Sequence, residues 1–118
     1  MQIKVQRQEQ PQLATVAVSS QGVTVRPEHV SVNVGGIVDW RIAVAGNMPP
    51  LLATLSFRNG SPFDWTSRDV IVDSHESGIA VAAKPRKKGD FKYGVRVVEK
   101  TSGRMIGEDD PYLHVTEA

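Results

Sequence analysis

The chain has 118 residues, 40% of them hydrophobic and 23% charged, with no cysteine and a net charge of +1. That length and composition suit one folded domain over residues 1–118, long enough to bury a core. The missing thiol excludes disulfides, iron–sulfur clusters, thiolate zinc sites and cysteine nucleophiles, and the near-neutral charge gives no global field to gather nucleic acid or an anionic membrane.

The opening MQIKVQRQEQPQ is polar and has no apolar stretch of signal-peptide length. No later run approaches a membrane span. The expected location is therefore the cytoplasm, or the periplasm or exterior if a leader has been removed. A first strand is expected at residues 3–7, then LATVAVS (13–19), GVTVR (22–26) and VSVNV (30–34), separated by SQG and RPEH. In GIVDWRIAV (36–44), Val38, Trp40, Ile42 and Val44 share one face while Asp39 and Arg41 share the other. Such alternation marks a strand with one dry and one wet side. LLATLSF (51–57) continues the pattern after the turn GNMPP. SPFDWTSRD (61–69) carries the marks of a short helical turn, with Ser61 as cap and Pro62 at the first helical position. It sits in a long connection leading to IAVAAK (79–84). DFKYGVRVV (90–98) reads as one strand with Phe91, Tyr93, Val95 and Val97 on one face. EKTSGRMIGEDD (99–110) reads as a hairpin turn, and PYLHVT (111–116) as the last strand. Valine-rich runs punctuated by Gly, Pro, Asn, Asp and Ser every 8–12 residues or so predict an all-β, antiparallel Greek-key sandwich of about seven to nine strands. Trp40 is expected to fill the space between two sheets, met by Phe91 and Tyr93 from the opposite layer.

VTVRPEHVSVNVGGIVDWRI (23–42) and GDFKYGVRVV (89–98) resemble the two signature regions of the cupredoxins, the plastocyanin-like copper proteins. The likeness lies in a strand, a proline-bearing bend and a valine-rich strand before a glycine turn. An apolar-x-Trp strand follows at Val38–Asp39–Trp40, and a Gly-x-aromatic-x-aromatic strand at Gly89, Phe91 and Tyr93. KGDFKYGV is also similar to the tyrosine-corner region of immunoglobulin-like domains. The resemblance implies a cupredoxin-like or immunoglobulin-like sandwich. It does not extend to the copper chemistry. A type 1 site needs two imidazoles and a thiolate with a weak axial thioether. Where the family clusters the thiolate, second imidazole and axial group, this chain has EKTSGRMIGEDD with Met105 alone. After the tryptophan strand it offers only Asn47 and Met48.

Five further features invite a functional reading. DSHES (73–77) gathers Asp73, His75 and Glu76, either as metal or acid–base donors or as a solvated turn; metal-ligand spacing is absent and the turn is favoured. His29 and His114 stand as single histidines with no recognisable partner, His114 on the outer face of the last strand. KPRKKGD (84–90) brings together Lys84, Arg86, Lys87 and Lys88, with the acidic 108–110 stretch expected as a neutralising neighbour. SPFDW (61–65) places Phe63 and Trp65 in a loop, where they either plug the end of the sandwich or anchor a partner. NGS (59–61) matches a glycosylation sequon, which is discounted without a leader.

No GxSxG motif, phosphate loop or paired carboxylates in a cleft-like context supports catalysis. The expected function is a non-enzymatic binding or assembly module, with no cofactor and no metal, whose partner is another protein rather than nucleic acid or membrane. Its partner-binding residues are expected to be Phe63, Trp65, Lys84, Arg86, Lys87 and Lys88. The alternative is a non-blue metal-binding or metal-chaperone protein using His75 with Met48 or Met105. A third reading is nucleic-acid contact through the basic loop 84–88.

Overall fold

Valine-rich alternation becomes strand almost everywhere in the computed structural model, which describes residues 10–73 and 79–117. Eleven strands run in order: β1 (Gln12–Ser19), β2 (Gly22–Arg26), β3 (His29–Asn33), β4 (Val38–Val44), β5 (Leu51–Ser56), β6 (Ser67–Val72), β7 (Ile79–Ala83), β8 (Gly89–Lys92), β9 (Gly94–Glu99), β10 (Met105–Asp109) and β11 (Tyr112–Thr116). Among the described residues there is no helix, and so none long and apolar enough to cross a membrane. The strand expected at 3–7 lies outside the described residues, as does most of DSHES.

The count exceeds the expected seven to nine for local reasons. The helical turn expected at 61–69 is not formed: its last three residues belong to β6, which pairs with every residue of β5 from Ser56↔Ser67 to Leu51↔Val72. Three β-branched residues, Val70, Ile71 and Val72, favour that extended state. The expected 99–110 turn contains β10, paired with β9 through a bulge between Met105 and Gly107. The single strand expected at 90–98 divides at Tyr93, so that β8 joins β11 while β9 joins β5.

Three hydrogen-bonded sheets result, ordered β2-β1-β4-β7, β10-β9-β5-β6 and β3-β11-β8. The first forms one layer. The other two form the facing layer, made continuous by the chain through Tyr93, whose N–H donates to the Pro111 carbonyl (3.1 Å). The chain changes layer between β2 and β3 at a cis peptide to Pro27. Most neighbours are antiparallel, but β1 with β4 and β3 with β11 are parallel, which makes the sandwich mixed rather than purely antiparallel. Two packed layers of strands are the β-sandwich that the cupredoxin-like resemblance implied.

Alternate residues of all three sheets meet in one core. Val16, Val38, Trp40, Leu51, Val95, Val97 and Leu113 are almost wholly excluded from solvent. Trp40 sits at the centre as expected, and its indole N–H donates to the Tyr93 hydroxyl (2.9 Å). Its ring partners are Tyr93, Phe63 and Trp65. Phe91, expected beside Tyr93, is only half-buried: the break at Tyr93 moves it into the ladder opposite Leu113.

The two layers are stitched along one side, where Asp109 Oδ2 accepts the backbone N–H of Val25 (2.8 Å) across from β10 to β2. Gly107 permits this approach, since a Cβ there would lie 2.8 Å from the Val23 nitrogen. On the opposite side lie the outer strands β6 and β7.

Candidate functional site

Near β6 and β7 the chain builds a cleft of about 540 Å³, lined by Phe63, Trp65, Arg68, Lys84 and Arg86 among others. Its aromatic wall is set by a pinned turn. Ser61 Oγ accepts the Phe63 N–H (3.0 Å) and donates to the Trp65 carbonyl (2.6 Å). That closure stacks the two rings 4.7 Å apart and within 8° of parallel. Trp40 and Phe57 support them edge-on from the core.

Phe63 is 9% exposed and closes the end of the core, whereas Trp65 is half-buried and reaches the cleft. The guanidinium of Arg68, two residues into β6, lies over the Trp65 ring at 5.1 Å, an arrangement stabilised by the ring quadrupole.

The basic loop closes the other wall. Arg86 donates its backbone N–H to the Pro62 carbonyl (2.7 Å), and the Gly35 N–H donates to the Pro85 carbonyl (2.9 Å). Gly35 adopts φ +82°, a left-handed turn that favours glycine. Segment 84–86 is thereby fixed to both neighbouring turns with the Lys84 and Arg86 side chains exposed. The expected neutralising partner, 108–110, is not the one used. Arg86 instead faces Asp64 (3.9 Å) and Lys88 faces Glu117 (3.3 Å), both exposed pairs of little energetic weight. Asp109 is engaged by β2.

Four of the six expected binding residues, Phe63, Trp65, Lys84 and Arg86, therefore line one cleft. Lys87 and Lys88 follow it along the chain and are exposed outside its lining. Arg68 was not anticipated, because β6 was not. The signal available was the Val70–Ile71–Val72 run, which extends the chain and brings Arg68 back beside Trp65. A larger concavity of about 750 Å³ lies on the outer face of the β10-β9-β5-β6 sheet, where Thr54, Arg96 and Glu108 form a cross-strand polar row.

The histidines also have partners, contrary to expectation. His29 Nδ1 and His114 Nε2 are 2.8 Å apart, and His114 Nδ1 is 2.7 Å from Asp90 Oδ1. They stand on β3, β11 and β8, whose adjacency no local pattern announces. Of the thioethers, Met48 is packed into the core and Met105 is exposed on β10. Among the described residues no three His, Asp or Glu side chains converge as donors to one metal ion.

Two titrating groups among the described residues are shifted by their surroundings. Burial pushes the Tyr93 phenol up to about 12, opposed by the hydrogen bond from Trp40 and reinforced by the Asp109 charge. Hydrogen bonds from Arg104 and Ser102 hold the Glu99 carboxyl below its ordinary value at the β9–β10 hairpin.

No family model matches the chain, and no curated protein matches it. Among solved structures, it is similar along 100% of its length to the copper-containing nitrite reductase (NirK) from Thermus scotoductus SA-01, with 14% identity and a TM-score of 0.47. It spans 25% of that chain. It is similar over 96% of its length to 75% of a chain of a heme-copper terminal oxidase dimer, with 12% identity and a TM-score of 0.45.

Proposed function

We propose that the chain is a non-catalytic binding module that holds an extended acidic segment of another protein in the cleft beside Trp65. The observation that carries this reading is the meeting of Trp65 with Arg68, Lys84 and Arg86 in one cleft, at the start of β6 and just beyond the end of β7. Three cations against the single carboxylate of Asp64 make the lining complementary to an anion. Guanidinium groups bind carboxylates in a planar, bidentate manner. The half-buried indole supplies an aromatic anchor of the kind that dominates interface energetics. Ala82 and Ala83 of β7 also line the cleft, so an extended segment lying there runs beside an outer strand able to pair with its backbone. Apart from Asp64 the lining offers no hydroxyl, thiol, imidazole or carboxyl side chain, and it is furnished for holding rather than for chemistry.

The test is a titration with a labelled synthetic peptide alternating Glu and Val, beside a Lys–Val counterpart and an oligo-dT strand. The Glu–Val peptide is expected to bind, and to weaken steeply as salt screens the cleft. Trp65→Ala should cost about tenfold, roughly 1.4 kcal/mol, and joint reversal of Arg68, Lys84 and Arg86 to Glu should abolish binding. Failure to bind, binding indifferent to the charge reversal, or preference for oligo-dT would overturn the reading.

A further inference from the structure

The outer face of the β3-β11-β8 sheet carries a second constellation, independent of the cleft. Val30, Val32, Leu113 and Val115 of β3 and β11 point into the core. The alternate residues His29, Tyr112 and His114 therefore stand outward, joined by Asp90 from β8. Register makes the group. Tyr112 is the partner of His29 on one side, and His114 faces Asp90 on the other.

With Asp90 ionised and both imidazoles neutral, the geometry fixes the protons of the array. An ionised carboxylate only accepts, so His114 carries its proton on Nδ1 and donates to Asp90 Oδ1 at 2.7 Å. Neutral His114 then presents a lone pair at Nε2, which accepts from His29 Nδ1 at 2.8 Å. The two rings are within 3° of parallel with centroids 5.1 Å apart. That separation exceeds the N···N distance by about what two ring radii add, so the imidazoles meet edge to edge in one plane rather than face to face. His29 is steadied from another side by stacking on Tyr112 (4.6 Å, 2°). Lys92, the cation on this face, is held over the Tyr112 ring at 5.5 Å.

A histidine whose Nδ1–H is taken by a carboxylate, with Nε2 aimed at a second imidazole nitrogen, is the arrangement that orients and strengthens metal ligands. We propose that His114 Nε2 and His29 Nδ1 bind a borderline divalent ion, Zn²⁺, Ni²⁺ or Cu²⁺, the class that imidazole suits, with Asp90 as the positioning residue behind His114. The ion replaces the shared hydrogen. The His29 proton moves from Nδ1 to Nε2, no proton is released, and water fills the remaining coordination positions. Metal–nitrogen bonds of about 2.0–2.1 Å require the rings to turn so that the two lone pairs converge, a movement open to side chains on a solvent-facing sheet.

Calorimetric titration of the full chain with ZnCl₂ and NiCl₂, with imidazole ¹⁵N spectra, tests this. One ion per chain should bind at micromolar concentration while His29 switches tautomer. His29→Ala and His114→Ala should each abolish binding, and His75→Ala should leave it unchanged. Asp90→Asn should weaken it by about 10–100-fold, a loss that an adventitious pair of exposed imidazoles would not show. Absence of binding below millimolar metal, dependence on His75 instead, or indifference to Asp90→Asn would overturn the proposal. The Glu substitutions in the cleft should not affect it, so the two sites fail or stand separately.

Discussion

Tyr93 does three jobs as one residue. Its backbone ends the β8 ladder, its ring stacks on Phe57 at 4.8 Å, and its hydroxyl accepts the Trp40 indole N–H at the centre of the core. Tyr93→Phe removes the acceptor and leaves a buried N–H unsatisfied, a loss of about 1–3 kcal/mol readable from chemical denaturation. The phenol also sets an alkaline limit. Its folded value of about 12 lies above the ordinary 10.0 of a tyrosine. The stability it contributes is thus complete below 10 and lost as pH rises toward 12, because the unfolded chain releases its proton first. In the Tyr112→Phe variant, where Tyr93 is the remaining tyrosine, phenolate absorbance should appear near pH 12. Titration near 10 with the fold intact would show that the ring is not desolvated as described. Trp40 as core was legible from its place on the apolar face of an alternating strand. Its partner Phe63 was not, because contact between residues so far apart in sequence depends on how the loop closes.

Among the elements, the strands read correctly are those with strict alternation, and each misreading has a local cause. Arg68 and Asp69 are consecutive charges in β6, which hides its period of two, and the bulge after Met105 breaks the period of β10. Tyr93 continues an alternating run, yet the ladder changes partners there, between Lys92 and Gly94. The sequence therefore revealed the sandwich but missed two strands. The cleft was half legible: aromatics in a loop and clustered cations are conspicuous, whereas the turn that unites them is tertiary. The imidazole pair was not legible at all, since residues 29, 90 and 114 are assembled only by the order β3-β11-β8. The β2–β10 seam offers a test at this scale. Gly107→Ala sets a methyl 2.8 Å from the Val23 nitrogen and 3.1 Å from the Gly22 Cα, both backbone atoms. It should cost about 1–3 kcal/mol, measured as a lower denaturation midpoint, whereas Gly103→Ala, with nothing within 4 Å, tests only the left-handed backbone at φ +74°.

Taken as a whole molecule, the sandwich is asymmetric in a way that suits the proposed binding. One side is sewn shut by Asp109 and by the close approach at Gly107, while the opposite side presents the outer strands β6 and β7 with a cationic, aromatic cleft. The core that fixes Trp65 in place is the same core that holds the layers together, so the cleft wall is preorganised, which lowers the cost of binding. Arg68, Lys84 and Arg86 are exposed, and reversing each should alter stability by no more than about 0.5–1 kcal/mol, the contact of Arg68 with Trp65 included. Loss of binding in that variant would therefore not be loss of fold. The most direct measurement is a map of backbone amide shifts on adding the Glu–Val peptide. The account predicts changes concentrated at residues 62–68, 82–88 and 34–35. Changes centred on the outer face of the β10-β9-β5-β6 sheet, or none at saturating peptide, would contradict it.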